Sequence, residues 1–371
     1  MQSSLPIGVA ALVLAALPAA AEPGRLISAA PLKLAGVPEG ARGWRIRYET
    51  RDERGRAVES TGFVIAPARG GADRPVVAWA HGTWGIAEAC APSLSPAGLS
   101  TIPDLAAMVR RGWVVTATDY PGLGTPGPHG YLAGDAAAFA VIDSVRVARQ
   151  LRGAGAGSSV AFWGHSQGGH AVLFASARQP SYAPELRQVG AVAVSPPAEL
   201  QDNLEGLADR RARGLLTAYV TRSWSRYYGA PLSAIAKPPT ISVIDRATRG
   251  CVGQKIGFAQ LIRVLALGRS LGRLDLSGDP VWGPLLKRNS APATGSTPLM
   301  LVSAREDAIV ADAVTRRYAS AACRSGAPVR FVEARTAEHA QTAVVTGTTA
   351  ERWIADRFAG RAAGRDCSPL R

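Results

Sequence analysis

Six short runs of this chain are apolar at nearly every position, and helix-like stretches separate them: 75–83 (PVVAWAHGT), 113–120 (WVVTATDY), 158–164 (SSVAFWG), 189–195 (VGAVAVS), 298–304 (PLMLVSA) and 328–334 (PVRFVEA). A strand with one wet face alternates polar and apolar residues, so a strand without alternation must be covered on both faces. Such strands, interleaved with helices over about 102–111, 135–151, 167–178, 311–323 and 348–358, predict an α/β fold. The sheet is expected to be mostly parallel with helices on both faces. Upstream, 43–68 alternates around the turn-prone Glu53-Arg54-Gly55 and predicts an antiparallel hairpin. Residues 196–295 show no strand–helix alternation and are expected to form an inserted helical cap, splitting the core into 22–195 and 296–371.

The N-terminus reads as a leader. An uncharged apolar run from Ile7 to Leu17 is followed by Pro18 and three alanines, then Glu22. That run is shorter than the roughly 20 residues a bilayer requires, and it ends at small residues suited to cleavage after Ala21. Its only positive charge is the amino group of Met1, which is atypical, and a retained anchor is the alternative. Residues 1–21 are therefore expected to be a signal peptide, and the mature protein secreted or periplasmic.

The net charge of +14 lies almost wholly in arginine, with lysine only at 33, 237, 255 and 287. The arginines are dispersed and not interleaved with aromatics, which argues against a nucleic-acid surface. A transient contact with an anionic lipid interface is compatible with them. Four cysteines in an exported chain suggest two disulfides, and three pairings are open at this point. Their spacing does not suit zinc, and no HExxH, EF-hand or Walker pattern occurs. Gly122-Leu123-Gly124-Thr125-Pro126-Gly127 matches G-x-G-x-x-G formally. Pro126 and Pro128 prevent a helix from opening on those glycines, so dinucleotide binding is excluded. No cofactor, metal or obligate protein partner is expected.

Where the strand 158–164 gives way to the helix beginning at Gln167, the chain reads Gly164-His165-Ser166-Gln167-Gly168. A G-x-S-x-G sequence between strand and helix is a nucleophile elbow, a tight bend that holds the hydroxyl clear of the sheet. Gly164 and Gly168 let neighbouring backbone approach, and the helix turns its positive end toward the bend.

A serine hydroxyl needs a base. Of the five histidines, His165 and His170 lie in or one turn beyond the elbow, and His81 and His129 precede it. The order nucleophile, acid, histidine leaves His339, just past the 328–334 strand. Asp307 follows the 298–304 strand and is the first choice for the carboxylate that orients the imidazole. Glu306 and Asp245 are the alternatives. For the oxyanion, backbone amides are expected from Gln167 and from Thr83 in HGTWG (81–85).

These segments together, AHGTWG (80–85), ATDYPGLG (117–124), GHSQGGHA (164–171), Asp307 and His339, resemble the secretory lipase family of α/β-hydrolases. The resemblance extends over about residues 30–365. It implies a calcium-independent lipase or carboxylesterase with a helical cap over an acyl-binding tunnel, acting on a small-molecule ester or lipid. It also implies the pairings Cys90–Cys251 and Cys323–Cys367. The family's oxyanion details do not transfer, because His-Gly-Thr stands where an aspartate side chain contributes in yeast relatives. A serine peptidase and an inactive hydrolase-like binding protein are the competing readings. The aromatic and aliphatic segment 215–236 is expected either to line an acyl pocket or to pack the cap.

Overall fold

The computed structural model describes residues 22–253, 257–293 and 295–367; the leader expected at 1–21 lies outside them. Nine strands form one sheet: β1 (Leu26–Pro31), β2 (Ala41–Arg51), β3 (Ala57–Pro67), β4 (Arg74–Ala80), β5 (Val114–Thr118), β6 (Ala156–His165), β7 (Arg187–Val194), β8 (Leu299–Ser303) and β9 (Val329–Glu333). Their order is β1-β2-β3-β5-β4-β6-β7-β8-β9. The first three strands are antiparallel and β3 meets β5 antiparallel. From β5 to the β9 edge, every neighbouring pair is parallel.

The non-alternating strands are double-sided, as their composition requires. Along β4, Val76, Ala78 and Ala80 enter one core and Val77 and Trp79 the other; along β6, Val160 and Phe162 oppose Ala161 and Trp163. The first core is closed by α2 (Gly134–Gln150), α3 (Gln167–Tyr182) and α9 (Asp312–Arg324), the second by α1 (Leu105–Arg110) and α11 (Gly347–Phe358). Trp79 and Trp163 meet edge to face at 5.6 Å, a geometry that adds about 0.5–1.5 kcal/mol to their burial.

Two features depart from expectation. An edge strand, β1, pairs with β2, although five of its six residues are exposed and carry no burial pattern to reveal it. Helix α3 continues past Arg178 to Tyr182 despite Pro180. A proline in the last turn removes a single backbone donor, and the helix end is held by the Gln179 side-chain amide, which donates to the carbonyls of Ala183 and Leu186 just beyond it.

Between β7 and β8 the described residues form α4 (Leu200–Gly206), α5 (Arg210–Tyr227), α6 (Pro238–Ala247), α7 (Phe258–Ser270) and α8 (Trp282–Arg288). They have hydrophobic clusters of their own, around Trp224 and Trp282 and around Ile244 and Leu267. Helix α5 is fastened to the loop before α2: Trp224 Nε1 donates to Tyr131 O at 2.8 Å and Ser223 Oγ to His129 O at 2.7 Å. A disulfide joins Cys251 in this insertion to Cys90 in the core, and a second joins Cys323 to Cys367 and ties the C-terminal segment to α9. Both pairings are those the family resemblance implied.

Candidate active site

Ser166 occupies the bend between β6 and α3 with φ 56° and ψ −118°, a region that side-chain-bearing residues rarely enter. Strain of this kind costs about 1–3 kcal/mol and persists only where the surroundings enforce it. Here they do. The Ser166 amide donates to Val194 O on β7 at 2.8 Å, and Ser166 O accepts from His170 in α3 at 3.0 Å. A Cβ on Gly168 would lie 1.8 Å from Ala80 O, and one on Gly164 would lie 2.2 Å from Gly168 O. The glycines are thus dictated by backbone contact across β4, β6 and α3.

His339 opens a single turn, His339–Gln341, between β9 and α10 (Thr342–Val345). Its Nδ1 donates to Asp307 Oδ2 at 2.7 Å. The other oxygen, Asp307 Oδ1, accepts from the amides of Ile309 and Val310, each at 2.9 Å. Burial pushes the Asp307 carboxyl up, but the His339 and backbone hydrogen bonds outweigh it and hold the pKa below the ordinary value. The carboxylate is therefore ionised and fixed in direction. Glu306 points outward and is exposed, and Asp245 is paired with Arg222 at 2.8 Å. Among the described residues, His339 Nε2 has no hydrogen-bond partner, and His339 and Ser166 border the same cleft.

The other histidines are neutral scaffolding. His165 donates from Nε2 to His339 O at 2.9 Å, linking the elbow to the backbone of the β9 loop. Burial, then the neighbouring His339, lowers its pKa to about 3. His170 donates to Asn289 O at 2.7 Å, and burial lowers its pKa to about 4.

Gln167 begins α3, so its amide belongs to the first turn, where N–H groups lack intrahelical acceptors. Its side-chain amide nitrogen lies 3.1 Å from His129 Nε2. His129 Nδ1 donates to Pro121 O at 3.0 Å, which leaves Nε2 free to accept from Gln167. Thr83 follows β4 and borders the cleft beside Ser166; its hydroxyl hydrogen-bonds the Tyr131 hydroxyl at 2.8 Å. Sequence reasoning set His129 aside and missed Tyr131. Each reaches its partner across 38 or 48 residues, and no local pattern marks such contacts. In the DYPGLG segment, buried Asp119 accepts from Ser93 N at 2.9 Å and Thr61 Oγ1 at 2.7 Å, also receives the Ser93 hydroxyl, and so ties together the loops behind Thr83.

Two cavities meet at Ser166. One is an open cleft of about 820 Å³ bordered by Thr83, Trp84, Tyr219 and His339. The other is an apolar chamber of about 20 Å³ between the sheet edge, α4 and α5. Of the segment 215–236, Leu215, Leu216 and Tyr219 border the cleft while Trp224 is buried among the insertion helices. No group of three or more potential metal ligands occurs among the described residues.

Residues 100–366 match the family model described as secretory lipase. Lipase A of Moesziomyces aphidis is 24% identical over 343 residues, covering 86% of this chain and 72% of that protein. A Mycobacterium tuberculosis protein named as a probable inactive lipase is 25% identical over 380 residues, covering 92% of this chain and 80% of that one. The X-ray structure of Candida antarctica lipase A superposes with a TM-score of 0.77 at 21% identity, covering 93% of this chain and 84% of the other. That likeness shows the α/β-hydrolase fold.

Proposed function

The chain belongs to the secretory lipase family, a family of lipase- and esterase-type hydrolases, and we propose that it is a secreted or periplasmic serine carboxylester hydrolase acting through an acyl-enzyme on Ser166. His339 removes the Ser166 proton as Oγ attacks the ester carbonyl. The amides of Thr83 and Gln167 receive the oxyanion, each such donor supplying about 3–4 kcal/mol of transition-state stabilisation. The resulting imidazolium, steadied by Asp307, protonates the departing alcohol. Water then enters by the same proton path and releases the acid.

The observation that carries this reading is the His339–Asp307 hydrogen bond of 2.7 Å, with a His339 Nε2 that has no hydrogen-bond partner among the described residues, on the same cleft as the strained Ser166. With its Nδ1–H committed to Asp307, the imidazole has Nε2 left to accept a proton, and His339 and Ser166 border one cleft. A relative named as an inactive lipase makes a non-catalytic scaffold the competing reading, but nucleophile, base and acid are all present here. Ser166→Ala should fold as the parent and lose p-nitrophenyl ester hydrolysis by on the order of 10⁵–10⁶-fold. Retention of most activity would refute the assignment, and faster turnover of aminoacyl-anilides than of esters would favour a peptidase. Residues 1–21 acting as a cleaved leader would place the enzyme outside the cytoplasm; N-terminal sequencing of the exported protein tests this.

A further inference from the structure

We propose that the two cavities meeting at Ser166 divide the ester between them, so that the enzyme selects short acyl groups joined to bulky, largely apolar alcohols. The inference rests on the hydrolase reading above and names its substrate class.

The assignment of limbs follows from proton transfer. The leaving alcohol oxygen must receive its proton from His339, so the alcohol limb lies in the cavity that His339 borders. His339 borders the large cleft and not the small chamber. The acyl group therefore points the other way, into the small recess lined by Tyr131, Leu200, Leu204 and Val220. Leu216 and Ile309 border both spaces and stand as the partition, with the Thr83–Tyr131 hydrogen bond beside them.

Size then sets acyl length. A volume of about 20 Å³ holds roughly one water-sized group, enough for the methyl or ethyl of an acetyl or propionyl ester. The walls do not yield readily, because Leu200, Val220 and Val310 are only 2–3% exposed and already packed. Polarity points the same way. Asn203 gives its amide to Ile309 O and receives Ala311 N, and Tyr131 is bonded to Thr83, so the chamber offers an acyl tail no free polar partner. The cleft, by contrast, has room for a ring system, and its outer rim exposes Leu94, Val252 and Val344. Such a rim suits an apolar alcohol.

The test uses the intact mature protein and two ester series. For 1-naphthyl esters from acetyl to decanoyl, kcat/KM should peak at acetyl or propionyl and fall about 100-fold or more by octanoyl. For acetate esters from ethyl to 1-naphthyl, it should rise or hold. Leu204→Ala should move the acyl optimum to butyryl or hexanoyl. Val220→Ala, on the opposite wall, gives the same shift should the first variant fold poorly. An octanoyl ester cleaved as fast as the acetyl ester, or folded variants with an unchanged optimum, would overturn the proposal. A small fluorophosphonate separates the two levels of failure. Labelling of Ser166 with a long-acyl preference overturns the division alone, whereas no labelling and no ester hydrolysis removes the hydrolase reading and this proposal with it.

Discussion

Around Ser166 the backbone is held from several sides at once by other backbone, whereas the helices between β7 and β8 are held largely through side chains, to one another and to the core. At the elbow, β4, β7 and α3 each touch the bend through backbone atoms, and His165 ties it to the His339 loop. The insertion instead packs on hydrophobic clusters, one of them shared with Ile86, Tyr131 and Leu132 of the core, and is fastened to the core by side chains such as Ser223, Trp224 and Asn289 and by the Cys90–Cys251 bridge. Its α7 exposes Phe258 at 79%, with Leu261 and Ile262 half exposed. The contrast divides the labour. On the proposed mechanism the nucleophile sits where φ and ψ are held by neighbouring backbone, and several of the side chains proposed to choose among substrates sit on helices outside that bend.

Changes at the strand ends should therefore be far more damaging than changes in the insertion. After Ser166→Ala, the largest effect is expected for Asp307→Asn, which keeps the shape but loses the acceptor that fixes the His339 tautomer. It should lower kcat by about 10⁴-fold, while Glu306→Gln stays near the parent. A severe loss in Glu306→Gln with Asp307→Asn near the parent would make Glu306 the triad acid instead.

Next comes a pair of glycines. Gly168→Ala drives a Cβ into Ala80 O and should cost about 3 kcal/mol or more in chemical denaturation. Gly278→Ala, in the insertion with nothing within 4 Å, should change stability by no more than about 0.5 kcal/mol. Comparable losses would erase the distinction between the regions.

A smaller effect concerns pH. Burial raises the Asp143 carboxyl to about 6, against hydrogen bonds from Thr50, Tyr182 and Arg146. Because the folded protein then holds that proton more tightly than the unfolded chain, the contribution of Asp143 to stability is greatest below about pH 4 and declines as pH rises through about 6. The decline attributable to this group is roughly 2–3 kcal/mol, and Asp143→Asn should flatten that part of the urea-midpoint profile. Buried Asp119 acts in the same direction.

The same contrast governs what can be read from sequence. β4 to β8 announce themselves because burial on both faces removes polar residues from much of the strand, and the β2–β3 hairpin because burial on one face enforces alternation around Gly55, whose φ is 76°. Gly164, Ser166 and Gly168 are legible because the bend restricts residue type at fixed spacing. Asp307 and His339 are legible through chain order; the structure brings them into contact and leaves Glu306 exposed. β1 was not legible, because an edge strand with exposed side chains has no pattern to betray it. Nor were the Tyr131–Thr83 and His129–Gln167 contacts, which exist only once α5 clamps the 129–131 loop. The disulfide pairing came from resemblance alone, since nothing in four spaced cysteines chooses among three pairings.

The account depends on Ser166 being the nucleophile that His339 activates. Its most direct test is intact-protein and peptide mass spectrometry after brief exposure to a small fluorophosphonate, with the parent compared against Ser166→Ala and His339→Ala. The expected result is one adduct per chain, on Ser166, absent from the first variant and formed orders of magnitude more slowly in the second. An adduct on another residue, or labelling of Ser166 at an unchanged rate without His339, would contradict it.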